Sequence, residues 1–238
     1  MSTNFLFILL QDNLPFNDPR TALGLMEPPS EIKLSVLDLA FKGGWVMLPI
    51  VLLSILAVYI FIERFIVIRK ASKEENNFMN NIRDFMHEGR IESALTLARN
   101  NNSPIARMIE KGVLRLGKPL NDINAAIENV GKLEIAKLEK NIAVIATVAA
   151  VAPMLGFLGT VMGMVRAFYD MSMAGNNIDI SLLSSGIYQA MVTTVAGLIV
   201  GIIALVFYNI LVARIEKIVY ILEARATEFI DLLHEPAN

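Results

Sequence analysis

Three long uncharged runs constrain this chain more than any other feature of its sequence. Residues 43–62, 141–165 and 180–213 contain no Asp, Glu, Lys, Arg or His over 20, 25 and 34 positions. A helix rises about 1.5 Å per residue, so each run can cross a hydrocarbon core of about 30 Å, and the last two must protrude from it. The sequence therefore predicts an all-α integral membrane protein with three transmembrane helices, some of which extend into a large cytoplasmic helical domain.

Composition agrees with this class and excludes several others. The 238 residues are 55% apolar and 18% charged, whereas a soluble domain carries about a quarter charged residues. A net charge of −2 provides no overall positive field, so nucleic acid is not an expected partner. The chain has no cysteine and only two histidines, His87 and His234, which are expected to be solvated, so neither a cofactor nor a metal is predicted.

The distribution of basic residues predicts the orientation. Residues 63–140 carry 14 of the 21 Lys and Arg, while residues 1–42, 166–179 and 214–238 carry 3, 1 and 3. Basic residues favour the cytoplasmic side, which places residues 63–140 and the C-terminal helix at 214–238 in the cytoplasm. The N-terminal segment and the short connection at 166–179 then face the outer side of the membrane, which is the periplasm if the chain lies in a bacterial inner membrane.

The N-terminal 42 residues are expected to be retained. The apolar stretch Phe5–Leu10 is only six residues long and no positive charge precedes it, unlike a cleavable signal peptide. Residues 31–41 follow an amphipathic helical pattern after a proline-containing region. We expect this helix to lie on the membrane surface and to contact lipids.

The large cytoplasmic segment shows helix starts and stops. One helix is expected after Gly89 and ends at Asn100–Asn102, and Ser103–Pro104 form an N-cap and a first helical position that open the next helix. No break is evident between Leu120 and Pro153. The pattern therefore predicts one cytoplasmic helix that continues directly into the second membrane span.

Small residues recur every three or four positions in the second and third runs. The stripes are Ala149, Pro153, Gly156, Thr160 and Gly163, and Ala190, Thr194, Gly197, Gly201 and Ala204. Small residues allow membrane helices to approach closely, which is the reading that spacing alone favours. The residues predicted to pack the helices are Pro153, Gly156, Gly159, Gly163, Gly197 and Gly201. The alternative reading is that Thr160 and Thr194 line a polar interior.

Thr193 and Gln189 complete the candidate proton path. A hydroxyl can pass a hydrogen-bonded chain along but cannot hold a proton near neutral pH. If protons cross this protein, the titrating acid must therefore come from a partner helix, because these spans contain none. Gln189 could face a pore or could bond to a neighbouring helix, and the sequence leaves both possibilities open.

Two motifs resemble the signatures of the ExbB, TolQ and MotA proton-channel family. Residues 152–164 read APMLGFLGTVMGM, and residues 186–198 read GIYQAMVTTVAGL, followed by Tyr208–Asn209. Further matches are Pro49–Ile50 and Glu63–Arg64 around the first span and Ser103–Pro104 with Ala106–Arg107 in the loop. Together the resemblance covers roughly residues 43–215. By similarity, Thr160 and Thr194 match the pore threonines of the family, so pore lining becomes the favoured role. Gln189 departs from the pattern, since ExbB and TolQ members often have Glu there.

The resemblance implies a function and a set of partners. It implies a homopentamer, with the small-residue stripes of the copies closing a ring, around a dimer of an ExbD-like or TolR-like single-span protein whose membrane Asp carries the proton. The expected function is that of an ExbB-like stator subunit in the bacterial inner membrane, which is not an enzyme and energises outer-membrane transport through a TonB-like or TolA-like protein. Alternatives are a TolQ-like subunit, another stator-type motor and a non-conducting scaffold. Three spans favour the ExbB or TolQ branch, since MotA has four.

Overall fold

The computed structural model describes residues 44–72, 77–173 and 180–234, and every regular element within those ranges is an α-helix. The predictions for residues 1–42 lie outside the described residues, as does the second half of the 166–179 connection. The helices are α1 Met47–Ala71, α2 Phe78–His87, α3 Ile91–Asn100, α4 Pro104–Val113, α5 Leu120–Glu139, α6 Ile142–Met173 and α7 Ile180–His234.

Three candidate membrane-spanning helices are present among the described residues, which confirms the predicted fold class. They lie within Met47–Ala71, Leu120–Met173 and Leu183–His234. The 32 residues of α6 and the 55 of α7 correspond to about 48 Å and 82 Å of helix, well beyond a hydrocarbon core of about 30 Å. Both helices therefore protrude from the membrane, and the third span continues as one helix to His234.

The helix boundaries of the large loop follow the predicted capping signals. Gly89 has a φ of 70° immediately before α3, and α3 ends at Asn100. The Ser103 hydroxyl accepts a hydrogen bond from the Ala106 amide at 3.2 Å, with Pro104 as the first helical residue of α4. These contacts occupy an amide that would otherwise lack a partner at the helix start.

The expected continuity from Leu120 into the second span is wrong, because α5 ends at Glu139 and α6 begins at Ile142. Lys140 is extended and Asn141 has a φ of 63°. Asn enters this left-handed region more readily than most residues, which is why it can break a helix without Gly or Pro. Arg64 of α1 reinforces the break, since its Nη1 donates to the Lys137 carbonyl near the end of α5 at 3.2 Å.

Helices α2 to α5 pack around the C-terminal half of α7 and form an extramembrane bundle. Its fully buried side chains include Phe78, Ile82, Ile109, Ile127 and Phe229. The same buried cluster continues into the membrane helices through residues such as Ile60 of α1 and Val148 of α6. The bundle and the three long helices therefore share one continuous apolar core.

Candidate functional site

Helices α6 and α7 approach each other so closely that their backbones touch. A Cβ atom placed on Gly197 would lie 2.5 Å from the Ala152 carbonyl oxygen and 2.9 Å from the Gly156 Cα. A Cβ atom on Gly163 would lie 2.8 Å from the Ala190 Cβ. No larger residue fits without moving a helix, so we call this contact the α6–α7 seam.

The remaining small residues of the two stripes also lie at this seam. A Cβ atom on Gly201 would lie 2.5 Å from Cγ of Pro153, so the proline ring occupies the space that the glycine leaves. Gly159 makes the same kind of room for Thr193. The stripes were expected to close against other copies in a ring. In the structure the stripe of α6 packs against the stripe of α7 within one chain.

Two half-buried threonines lie at the edge of the seam. The Thr194 Oγ1 donates to the Gly156 carbonyl oxygen across the seam at 3.0 Å. The Thr160 Oγ1 donates to the Phe157 carbonyl oxygen within α6 at 2.6 Å. In α-helical register the Gly156 carbonyl also accepts from the Thr160 amide. Thr160 and Thr194 therefore lie within one helical turn of each other, on successive carbonyls of α6.

This edge presents hydrogen-bond acceptors and has no acid of its own. Each threonine hydroxyl donates its proton to a carbonyl and keeps lone pairs that can accept a hydrogen bond. Neither group can hold a proton near neutral pH, and residues 141–165 and 180–213 contain no titratable Asp, Glu, Lys, Arg or His. The arrangement suits an O–H or N–H donor that arrives from outside the chain.

Thr193 lies inside the α6–α7 seam. Its side chain is only 1% exposed, its Oγ1 donates to the Ala190 carbonyl oxygen at 2.7 Å, and it fills the space above Gly159. Within one chain these contacts indicate a packing role for Thr193, and its pore-lining role stays a prediction. The reason for the packing is geometric, since successive residues of a helix point about 100° apart and Thr193 points into the seam.

Gln189 lies where α1 begins, against another helix. A Cβ atom on Gly44 would lie 2.3 Å from the Gln189 Nε2, and both residues line a crevice of about 240 Å³ that Arg166 also lines. Gly44 has a φ of 68°, a conformation that is strained for a residue with a side chain. A side chain here would also collide with Gln189. This placement matches the alternative in which the amide contacts a neighbouring helix, and the pore role of Gln189 stays a prediction.

A buried ion-pair cluster in the extramembrane bundle was not found from the sequence. The Glu134 side chain is 6% exposed, and its two oxygens bond to Arg107 at 2.5 Å and to Lys137 at 2.6 Å. The spacing of Glu134 and Lys137 on one helix was a possible signal. No sequence signal indicated the pairing of Glu134 with Arg107 of α4, since this pairing depends on how α4 packs against α5.

The described residues contain no group of three His, Cys, Asp or Glu side chains that could hold a metal ion. His87 is exposed in the last turn of α2, and His234 is exposed in the last turn of α7, where its Nδ1 lies 2.9 Å from the Ile230 carbonyl oxygen. Both positions agree with the solvated surface role that the sequence predicts.

Comparison with known proteins defines the class of this chain. Residues 100–224 match the MotA/TolQ/ExbB proton channel family. Two similar relatives come from Synechocystis sp. and are named for ExbB-like biopolymer transport: ExbB-like 3 is 30% identical over 71% of this chain and 80% of the relative, and ExbB-like 1 is 31% identical over 75% and 71%. The Tol-Pal system protein TolQ of Haemophilus influenzae is 28% identical over 86% of this chain and 96% of its own length.

These matches define a membrane channel protein rather than an enzyme. The chain belongs to the MotA/TolQ/ExbB proton channel family, and the names of its relatives favour the ExbB-like branch. Residues 100–224 include α4, α5, α6 and most of α7, so the α6–α7 seam and the threonine pair Thr160 and Thr194 lie inside the matched region.

Proposed function

We propose that this chain is the ExbB-like subunit of a proton-driven stator, and that Thr160 and Thr194 form its half of the proton site. One observation carries the proposal. Two hydroxyls lie within one turn of each other at the edge of two helices whose apolar runs contain no acid or base. A polar pair in such a segment is costly unless it serves packing or a polar path.

The hydrogen-bond directions favour a neutral acid as the visiting group. Both hydroxyls donate to α6 carbonyls, so what each offers outward is an acceptor oxygen. A protonated carboxyl group can donate to such an oxygen, whereas a carboxylate needs a donor. After proton release, one hydroxyl would have to turn away from its carbonyl, at a cost of about 0.5–1.5 kcal/mol for the lost bond. The pair therefore serves both protonation states and prefers the neutral one.

The proposed partner is a dimer of an ExbD-like or TolR-like single-span protein that supplies the membrane Asp. Five copies of this chain would surround it, with the α6–α7 seams intact and the Thr160 and Thr194 edges facing inward. The exposed apolar side chains on α6 and α7, such as Phe157 and Val195, provide surface for contacts with other copies and with lipid. The assembly would lie in the bacterial inner membrane, with the N-terminus periplasmic and the C-terminus cytoplasmic, and drive a TonB-like protein.

A valine substitution tests the role of Thr194. We expect Thr194→Val to lower proton uptake about two-fold to ten-fold in liposomes that hold the co-purified complex, because the lost hydrogen bond to the neutral acid contributes about 0.5–1.5 kcal/mol. Thr194→Ser keeps the hydroxyl and should retain most of the activity. Thr193→Val is the matched control, since it removes the adjacent hydroxyl from inside the seam and should conduct normally.

Two results would contradict this assignment. Wild-type proton uptake by a correctly assembled Thr194→Val complex would show that the hydroxyl only packs. Equal losses in Thr193→Val and Thr194→Val, with equal losses of thermal stability, would show that the seam and not the proton path was damaged. In a packing role Val would be tolerated better than Ser, which lacks the methyl group of Thr.

A TolQ-like function is the second candidate. It is favoured by one observation, namely that the match to Haemophilus influenzae TolQ covers 96% of that protein. Complementation separates the two roles, because an ExbB-like chain produced with its own partner should restore TonB-dependent uptake in a strain that lacks ExbB. A TolQ-like chain should instead restore the outer-membrane integrity of a strain that lacks TolQ.

A further inference from the structure

A positively charged cavity lies where α1, α4 and α5 meet. Its volume is about 450 Å³, and its cationic lining residues are Lys70 from the last turn of α1, Arg107 of α4 and Lys137 of α5. Glu134 is the acid among the lining residues. The cavity is separate from the α6–α7 seam and its threonine pair, to which none of its lining residues belongs.

The cavity keeps an excess of positive charge after its internal ion pairs are counted. Both oxygens of buried Glu134 are occupied, one by Arg107 and one by Lys137. Among the described lining residues, three cations against one anion leave two positive charges, and each cationic head has N–H groups beyond those that bond to Glu134. The Arg107 Nη2 also donates to the Asn102 carbonyl oxygen at 3.4 Å, and the remaining N–H groups of the three cations are open to solvent, where an anion can reach them.

Helix α4 adds to this field. Its N-terminus begins at Ser103 and Pro104, both of which line the cavity, and helix N-termini attract negative charge. Arg64 lies behind the cavity, where its Nη1 donates to the Lys137 carbonyl oxygen and its Nη2 pairs with Glu63. That pair is internally neutral, so it braces the wall without changing the count of charges.

The depth of the cavity points to the lipid headgroup layer. Trp45 is 75% exposed just before α1 begins at Met47, as an aromatic anchor at a membrane surface would be. Counted from Met47, a hydrocarbon core of about 30 Å ends near Ile66, and Lys70 lies about 6 Å further along the helix. A bilayer with its headgroups measures about 40–45 Å, which leaves a polar layer of about that thickness on each side.

The walls of the cavity suit an amphipathic ligand. Val67 and Ala71 of α1 and Leu138 of α5 supply apolar surface beside the lysine and arginine groups. A free inorganic anion gains nothing from contact with apolar side chains, whereas a phospholipid presents both a phosphate and the beginning of its acyl chains. The cavity therefore matches a phosphate attached to an apolar group more closely than a free ion.

We infer that this cavity binds the phosphate group of an anionic phospholipid, held by Lys70, Arg107 and Lys137. The bound lipid ties the end of the first membrane helix to the start of α4 and the end of α5. It thereby fixes the extramembrane bundle to the membrane surface. This inference does not depend on proton conduction and would stand if the proposed function failed.

Lipid retention by the full-length protein tests the inference. The purified chain is exposed in mild detergent to equal amounts of phosphatidylglycerol and phosphatidylcholine, and native mass spectrometry measures the ratio of the two retained lipids. We expect wild type to prefer phosphatidylglycerol. Lys70→Gln and Lys137→Gln should each weaken that preference about five-fold or more, since each variant loses a charge-assisted contact with the bound phosphate.

Matched controls separate this cavity from general surface charge. Arg69→Gln removes an adjacent exposed charge of α1 at the same depth, and Lys132→Gln removes an exposed charge of α5, neither of which lines the cavity. Both should leave the preference unchanged. Lys70→Gln touches no partner of Glu134, so it stays informative if Lys137→Gln lowers the melting temperature.

Inorganic phosphate distinguishes the two sources of the same chemistry. If millimolar phosphate stabilises the lipid-free protein with the same dependence on Lys70 and Lys137, and phosphatidylglycerol is not preferred, the site takes free phosphate and the lipid assignment is overturned. The whole inference is overturned if neither ligand shows a preference, or if Arg69→Gln and Lys132→Gln reduce retention as much as the cavity variants.

Discussion

Adjacent threonines on α7 have different environments because one residue of helix turns a side chain by about 100°. Thr193 is buried against Gly159, whereas Thr194 reaches the Gly156 carbonyl oxygen at the edge of the seam and stays half-exposed. The acceptors of the two hydroxyls, the Ala190 and Gly156 carbonyl oxygens, also accept backbone hydrogen bonds within their own helices, so removing either hydroxyl leaves no carbonyl unpaired. The two positions therefore form a natural pair for separating packing from proton handling.

Gln189 is expected to be tunable rather than essential. An amide cannot exchange a net proton at neutral pH, and this one contacts Gly44 at the start of α1. Gln189→Ala should keep most of the proton uptake measured in liposomes with the co-purified complex. Complete loss of uptake, with normal expression and assembly, would show that the amide orients the partner or belongs to the path.

Sequence reasoning reached these residues but not their individual roles. Spacing identified Thr160, Thr194 and the glycines, because a helix repeats its faces every 3.6 residues. Spacing placed Thr194 and not Thr193 in a small-residue stripe. It could not show that Thr193 is the buried one of the two, because that depends on the position of the second helix. Gln189 was open for the same reason.

At the scale of helices, the α6–α7 seam should tolerate no added atom at Gly197. Alanine is about 1 kcal/mol better than glycine inside a helix, but at Gly197 its Cβ would lie 2.5 Å from the Ala152 carbonyl oxygen. Overpacking against a rigid backbone costs about 1–3 kcal/mol. We therefore expect Gly197→Ala to lower the melting temperature of the detergent-solubilised protein.

Gly131→Ala provides the matched control for Gly197→Ala. It is also buried in a helix, but its added Cβ would meet the flexible end of Met108, with Cε at 3.1 Å. The melting temperature should stay the same or rise. An unchanged melting temperature in Gly197→Ala would mean that the two helices are not in the close contact described.

The break between α5 and α6 gives a separate test at Asn141. Its φ of 63° costs about 1–2 kcal/mol for an ordinary L-residue, so Asn141→Ala should lower the melting temperature. Asn141→Gly should not, because glycine adopts this conformation freely. If the Asn141→Ala protein had the melting temperature of the wild type, residue 141 would not need the left-handed conformation, and α5 and α6 could join into one helix.

This break also marks the limit of what sequence could predict about the elements. The three spans followed from uncharged runs, and the start of α4 followed from Ser103–Pro104, because both signals are local. The break at Lys140–Asn141 has no Gly or Pro. The break is stabilised in part by Arg64, which is distant in the sequence, so no local sequence pattern predicts it.

At the scale of the whole molecule, one chain provides a rigid wall and an incomplete site. The seam uses its small residues within the chain, and the threonine edge offers acceptors without an acid. A proton path therefore requires further chains. A structural scaffold that only gathers a single-span protein would have no such requirement.

Proton uptake by liposomes tests this claim most directly. Three preparations are compared under an imposed potential: the chain alone, the chain with its single-span partner, and the chain with that partner carrying Asp→Asn in its membrane helix. We expect uptake only in the second preparation. Equal uptake by the second and third preparations, or uptake by the chain alone, would contradict it.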